Sequence, residues 1–122
     1  MQSVLAVDDL MSMRHMMSMT LSRAGYHVIK AIDGADALDK AADNQPDMIL
    51  ADIDMPNIDG IELTKSLRTD PRYENTPILL VSTNAARNDE EKAQAKAVGA
   101  NGWLCKPLNP EQLVDTIQRL LE

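Results

Sequence analysis

Apolar residues along the chain follow two alternating rhythms. Three short runs, Val4-Leu5-Ala6-Val7, Met48-Ile49-Leu50-Ala51 and Ile78-Leu79-Leu80-Val81, carry no polar interruption. Such runs predict strands buried on both faces, as in the middle of a parallel sheet. Tyr26 to Ala31, centred on Val28-Ile29, and Gly102-Trp103-Leu104-Cys105 predict two further strands. Between the runs the spacing turns helical. A first helix from about Leu10 to Ala24 carries Met13, Met16, Met17, Thr20, Leu21 and Ala24, and Gly25 stops it. A second starts at Asp33-Gly34, carries Ala35, Leu38, Ala41 and Ala42, and breaks at Asn44-Gln45-Pro46. A third has Asp59 as N-cap with Glu62 as capping-box partner, and Ile58 with Leu63 as a hydrophobic staple. Leu63 and Leu67 continue its stripe until Asp70-Pro71. A fourth, from about Arg87 to Val98, offers mainly Ala93, Ala97 and Val98 for burial; alanine buries little area, so this helix is expected to be weakly anchored and mobile. Gly99 ends it. The last is capped by Asn109, takes Pro110 at its first position and Gln112 as capping-box partner. Its stripe is Leu113, Ile117, Leu120 and Leu121, with Val114 beside it.

Strand and helix thus alternate through five repeats, which implies a parallel sheet with helices on both faces: an α/β, doubly wound fold. No linker, internal repeat or low-complexity segment interrupts 1–122, so a single domain is expected. Composition narrows the function. The chain has 122 residues, 44% of them hydrophobic, enough for a core and against disorder. Its net charge of −7, with no Lys/Arg run, argues against nucleic-acid binding and membrane insertion and favours cationic partners. One cysteine, Cys105, excludes an intramolecular disulfide and fits a reducing compartment. With no signal peptide visible, a cytoplasmic location is expected. There is no Phe but eight Met, and Met11, Met13, Met16, Met17 and Met19 read as core packing.

The candidate chemistry lies where the apolar runs stop: Asp8-Asp9, Asp52, Ser82-Thr83 and Lys106. Singly, each is ordinary, since an acidic residue after a strand is usually a cap, a serine a turn residue and a lysine solvated. Together they fall at the carboxyl edge of one sheet, where ligands bind in open α/β folds. Converging carboxylates raise each other's pKa unless a cation intervenes. A hard cation such as Mg²⁺ suits an all-oxygen site. Asp52 is then placed to attack phosphorus and form an aspartyl phosphate, with Lys106 as a point charge and Ser82 as a donor to the phosphoryl oxygens.

These residues carry a resemblance. Val7-Asp8-Asp9, Ser12-Met13-Arg14, Met55-Pro56-Asn57 with Asp59-Gly60, Ser82 and Lys106-Pro107 resemble the receiver domain of two-component response regulators, in particular its CheY-like single-domain members. The resemblance runs from Val4 to the last helix. It implies a flavodoxin-like, five-stranded sheet of order 2-1-3-4-5 flanked by five helices. It makes Asp52 the phosphoacceptor. Asp9 and Asp52 would hold Mg²⁺, with Asp8 acting through water and the main-chain carbonyl of Asp54 as a further ligand. Lys106 would contact the phosphoryl group, and its bond to Pro107 is often cis in the family. Ser82 would be the switch hydroxyl, and Trp103 takes the place of the switch aromatic, a role preferred here over ordinary burial.

The chain departs from the family at Asp54, where an uncharged residue is common, at Thr83, at Asn84 and at Ile53. Asp54, Thr83 and Asn84 are expected to tune the phosphoryl lifetime and phosphodonor access. The implied function is a stand-alone, monomeric response regulator with no output domain. It takes phosphate from a CheA-like histidine kinase, and its fourth-helix, fifth-strand and fifth-helix surface docks a flagellar motor switch protein. A phosphate sink or phosphorelay carrier is the alternative. Asp52-Ile53-Asp54 also has the D-x-D form of haloacid-dehalogenase-type phosphatases. The acidic pair, however, precedes it in the wrong order, and the chain lacks the length for a substrate cap. A flavin binder would need a Ser/Thr-rich phosphate loop and aromatics, and aromatics are 2% of the chain.

Overall fold

The uninterrupted apolar runs form the middle of the sheet, where no solvent-facing side exists to be made polar. In the computed structural model, which describes residues 1–83 and 88–122, five parallel strands lie in the order β2-β1-β3-β4-β5. They are β1 (Ser3–Val7), β2 (His27–Ala31), β3 (Met48–Asp52), β4 (Ile78–Ser82) and β5 (Gly102–Cys105), with α1 (Met11–Arg23), α2 (Gly34–Asn44), α3 (Gly60–Arg68), α4 (Asn88–Val98) and α5 (Pro110–Leu121) between and after them. Every residue of β3 and β4 is buried, whereas the edge strands β2 and β5 mix exposed and buried positions. His27 and Lys30 stand exposed on β2, polar side chains of the kind that discourage further strand pairing at a sheet edge.

Side chains alternate across the sheet with a period of two and build a core on each face. Val4, Ala6, Met48, Leu50, Leu79, Val81 and Leu104 pack with Met17 and Leu21 of α1 and with Leu113 and Ile117 of α5. Leu5, Val7, Ile49, Ala51, Ile78 and Leu80 pack on the other face with Ala37 and Ala41 of α2, Leu63 and Leu67 of α3, and Ala95 of α4.

The expected caps Asp59 and Asn109 form, and Asp33 caps α2 as well. Asp33, Asp59 and Asn109 accept hydrogen bonds from the amides of Asp36, Glu62 and Gln112. Several buried faces differ from the sequence reading. On α2 the inward residues are Gly34, Ala37 and Ala41, while Ala35 and Ala42 are exposed. On α4 Ala93 and Ala97 are exposed and Val98 is half-buried; Glu91 and Ala95 are buried instead. The alanine pattern of α4 fits more than one helical face, and only tertiary contact decides which one turns inward. Met11 and Met19 are exposed, and Ala24 at the end of the α1 stripe is exposed as well, so the packing role expected of α1 narrows to Met17 and Leu21, with Met13 and Met16 half-buried. Tyr73, in a single 3-10 turn at Pro71–Tyr73 that the pattern did not predict, is buried and donates its hydroxyl to the Ala41 carbonyl.

Arg68 ties the ends of several elements together. Its guanidinium donates to the carbonyls of Thr76 (2.7 Å) and Gly99 (2.8 Å), to that of Tyr73, and to Asn101 Oδ1 (2.9 Å). Asn101 Oδ1 in turn accepts from the Ile78 amide at 2.9 Å, at the start of β4. A planar donor fork suits this set of acceptors, which a point charge does not. Arg68→Ala is therefore expected to cost ~2 kcal/mol, with Arg68→Lys recovering little of it. Urea unfolding checks this: the midpoint should fall with the slope unchanged, and an unmoved midpoint would refute the role given to Arg68.

Candidate functional site

Strand register places the chemistry. Val7 lies level with Ala51, Asp52 with Val81, and Ser82 with Cys105. Asp8 therefore emerges level with Asp52, while Ser82 emerges one residue further along the same edge and Lys106 two. The period-two alternation then sorts them. Asp52 continues the parity of Met48 and Leu50, and Lys106 that of Leu104, toward the α1/α5 side. Ser82 continues the parity of Ile78 and Leu80, toward the α2/α3/α4 side.

On the first side, Lys106 Nζ lies 3.0 Å from Asp52 Oδ2 and 3.2 Å from Asp8 Oδ2, with all three side chains largely buried. One carboxylate oxygen each from Asp8, Asp9 and Asp52 lie within 4.8 Å of one another; Asp8 and Asp52 are buried and Asp9 is exposed. The Leu10 amide donates to Asp8 Oδ1 at 2.9 Å, Arg14 donates to the Asp8 carbonyl at 2.7 Å, and the Asp54 amide donates to Asp52 Oδ1 at 3.1 Å. The Lys106–Pro107 peptide is cis. The turn after β3 comes back against the strand: Gly60 donates its amide to the Ile53 carbonyl at 3.1 Å. A Cβ on Gly60 would stand 2.6 Å from the Asp52 carbonyl oxygen, so only glycine permits that approach. Asn57 in the same turn is left-handed, with φ 68°, a conformation asparagine tolerates better than most residues.

The electrostatics are unbalanced. Burial pushes the Asp52 carboxyl above the usual carboxylate range and the Asp8 charge adds to this. The hydrogen bonds from Lys106 and the Asp54 amide oppose the rise without cancelling it. Burial pulls Lys106 down, yet its hydrogen bond with Asp52 and the charges of Asp52 and Asp8 hold it above its ordinary value. One ammonium shared by two buried carboxylates, with a third in reach, leaves excess negative charge. An all-oxygen donor set with such an excess fits a hard divalent cation.

On the second side, Ser82 Oγ donates to Glu91 Oε2 of α4 at 2.8 Å, with both residues buried. Thr83 donates its hydroxyl and, at 3.4 Å, its amide to Asp54 Oδ2. Trp103 is 36% exposed, with Lys92 Nζ 5.0 Å from its ring centroid. Asn84 lies outside the described residues. Glu91 is the residue that sequence reasoning missed. Its signal was an acidic residue at helical spacing from Ala95 and Val98, a face whose inward direction the pattern left open.

A parallel sheet of order 2-1-3-4-5 with an acidic cluster and a lysine at its carboxyl edge defines a flavodoxin-like α/β domain whose acidic cluster could hold a cation. The chain matches the response regulator receiver domain over residues 4–118 and belongs to that family, whose members are signalling domains rather than turnover enzymes. It is 35% identical to protein PilG of Pseudomonas aeruginosa over 94% of this chain and 84% of that one. It is 31% identical to the polar-differentiation response regulator DivK of Brucella anthropi over 98% and 96% of the two chains. Among solved structures, the chemotaxis protein CheY4 of Vibrio cholerae superposes with a TM-score of 0.94 at 49% identity, over 99% of each chain. No helix among the described residues is long and apolar enough to cross a membrane.

Because the folded state raises the Asp52 pKa, it binds a proton there more readily than the unfolded chain does. Stability is therefore lost as pH rises from the unfolded value of 3.8 through the raised folded value. Asp52→Asn, which mimics the neutral form, is expected to raise the urea midpoint of the metal-free protein at neutral pH. The gain should shrink as pH falls through that window and vanish below it. A variant less stable than wild type at neutral pH would contradict this account of the site.

Proposed function

We propose that this chain is a phosphorylation-dependent binding switch, with Asp52 as its phosphoacceptor. The observation that carries the reading is Lys106 bridging Asp52 and Asp8 at the sheet edge with Asp9 in reach. Asp8, Asp9 and Asp52, with the Asp54 main-chain carbonyl, would hold Mg²⁺. When bound, the cation supplies positive charge that offsets the repulsion of the carboxylates and of an incoming phosphoryl group. Asp52 attacks phosphorus, the bond from phosphorus to the donor breaks, and an acyl phosphate forms. Lys106 draws the phosphoryl oxygens into place as a point charge. Ser82 donates to a phosphoryl oxygen and thereby links the site to the opposite face of the sheet. The phosphodonor is a histidine kinase of CheA-like type, in the cytoplasm, and the output is docking of a downstream protein on the surface of α4, β5 and α5. The 49% identity to a chemotaxis protein, against 35% and 31% for PilG and DivK, favours chemotaxis and a flagellar motor switch protein as that partner.

The test is intact mass after incubation with acetyl phosphate and Mg²⁺. Wild type is expected to gain one phosphoryl group and Asp52→Ala none; equal gain by both would sink the assignment. In the same samples Trp103 emission is expected to change on phosphorylation, and Ser82→Ala to abolish that change while still accepting phosphate.

Asp54 bears on how long the phosphoryl group lasts. Thr83 holds its carboxylate by two hydrogen bonds, so the group is oriented at the mouth of the site. An oriented carboxylate there can take the proton of a water attacking phosphorus, releasing inorganic phosphate and regenerating the Asp52 carboxylate. Asp54→Asn is expected to lengthen the phosphoryl lifetime by about tenfold or more, and Thr83→Ala by less. Decay of the labelled mass after removal of acetyl phosphate measures this, and an unchanged rate in Asp54→Asn would remove Asp54 from the mechanism.

A further inference from the structure

Ser82 has a single hydroxyl proton, and in this structure Glu91 receives it. The bond is 2.8 Å long and buried, and its acceptor is a carboxylate on the inward face of α4, one turn from Ala95. The next residue of the helix, Lys92, lies over the Trp103 ring at 5.0 Å. Strand parity turns Ser82 toward α4, and Trp103, odd in β5 against inward Leu104, shares that side. One helix therefore grips both residues, Ser82 through a carboxylate and Trp103 through a cation over its indole.

A hydroxyl donates to one acceptor at a time. If Ser82 turns to a phosphoryl oxygen on Asp52, the Glu91 bond must break. We propose that Glu91 is a positioning residue that competes with the phosphoryl group for the Ser82 proton. Phosphorylation at Asp52 then releases the Glu91 end of α4 and withdraws Lys92 from Trp103. The proposal rests on the reading of Asp52 and Ser82 given above and adds the element through which the signal leaves Ser82. Glu91 opposes the switch because a charged acceptor binds a hydroxyl more strongly than a neutral one. A neutral residue at this position would leave α4 more readily released, and Ser82 more available to the phosphoryl group.

The test is a double-mutant cycle on Ser82 and Glu91, with thermal unfolding used to confirm that each variant is folded. E91M keeps the length of the side chain and removes the oxygen acceptor; E91Q keeps shape and an acceptor oxygen and removes the charge. Trp103 emission of the unphosphorylated protein is expected to shift in E91M toward that of phosphorylated wild type, and less far in E91Q. Phosphate gain from acetyl phosphate with Mg²⁺ is expected to be about tenfold faster in E91M than in wild type. In an S82A background E91M should add nothing to either readout, because the proton at issue is gone. The proposal is overturned if E91M matches wild-type emission and labels within about twofold of its rate. It is equally overturned if the E91M effect persists at full size in S82A, which would mark Glu91 as a packing residue only. The comparison of emission among unphosphorylated wild type, E91M, S82A and the double variant needs no phosphate. It decides the Glu91 coupling even where wild type fails to label, an outcome that would instead defeat the phosphoacceptor reading.

Discussion

Excess negative charge in a nearly dry place governs this molecule. Asp8 and Asp52 are buried at the end of two adjacent strands, and one lysine serves both. Folding does not favour such an arrangement for its own sake, since removing carboxylates from water costs several kcal/mol per ion before pairing offsets it. It persists because the strands carrying those residues are fixed by two apolar clusters, one on each face of the sheet. The stability of the core thus holds the acidic edge in a state that a cation, or protonation of Asp52, relieves. A site with its charges already balanced would have little differential affinity for either.

The two-residue period of the strands does a second job. It divides the carboxyl edge into a charged side, with Asp8, Asp52 and Lys106, and a hydroxyl side, where Ser82 meets α4. A register shift of one residue in β4 would bring Ser82 to the Asp52 side and leave α4 without its partner. On the reading proposed for Asp52 and Ser82, this separation would carry an event at Asp52 to the far face through a single small side chain, with the apolar layers on both faces left packed.

The parallel sheet and the gathering of Asp8, Asp9, Asp52, Ser82 and Lys106 at its carboxyl edge were legible because runs that end in polar residues mark strand ends directly, whereas the strand order came from the family resemblance and not from the runs. The caps Asp59 and Asn109 were legible because capping is local. The inward face of α4 was not. Its alanines satisfy several helical faces equally, and Glu91, which turns inward, reads as a surface residue until Ser82 is placed opposite it. Met11 and Met19 were misread for a related reason: helical spacing shows that residues share a stripe but not how wide the covering sheet is. Tyr73 stayed hidden because its burial depends on a hydroxyl bond to Ala41, 32 residues away.

The anchoring of α4 differs from that of α3 and α5. Helices α3 and α5 bury leucines and an isoleucine, contacts that cannot be released without opening a cavity. Among the described residues of α4, the fully buried side chains are an alanine and a glutamate. Alanine contributes little area. A hydrogen bond can be traded for another at small net cost, provided no buried group is left unsatisfied. The two ends of α4 also differ. Just past its C-terminus, the Gly99 carbonyl is held by the Arg68 guanidinium, whose other donors are committed to neighbouring loops. Near its start, Glu91 accepts the buried Ser82 hydroxyl at 2.8 Å. Under the proposal made for Glu91, exchange of the Ser82 proton would free the start of α4, with Lys92 over Trp103, while Arg68 still holds the Gly99 end.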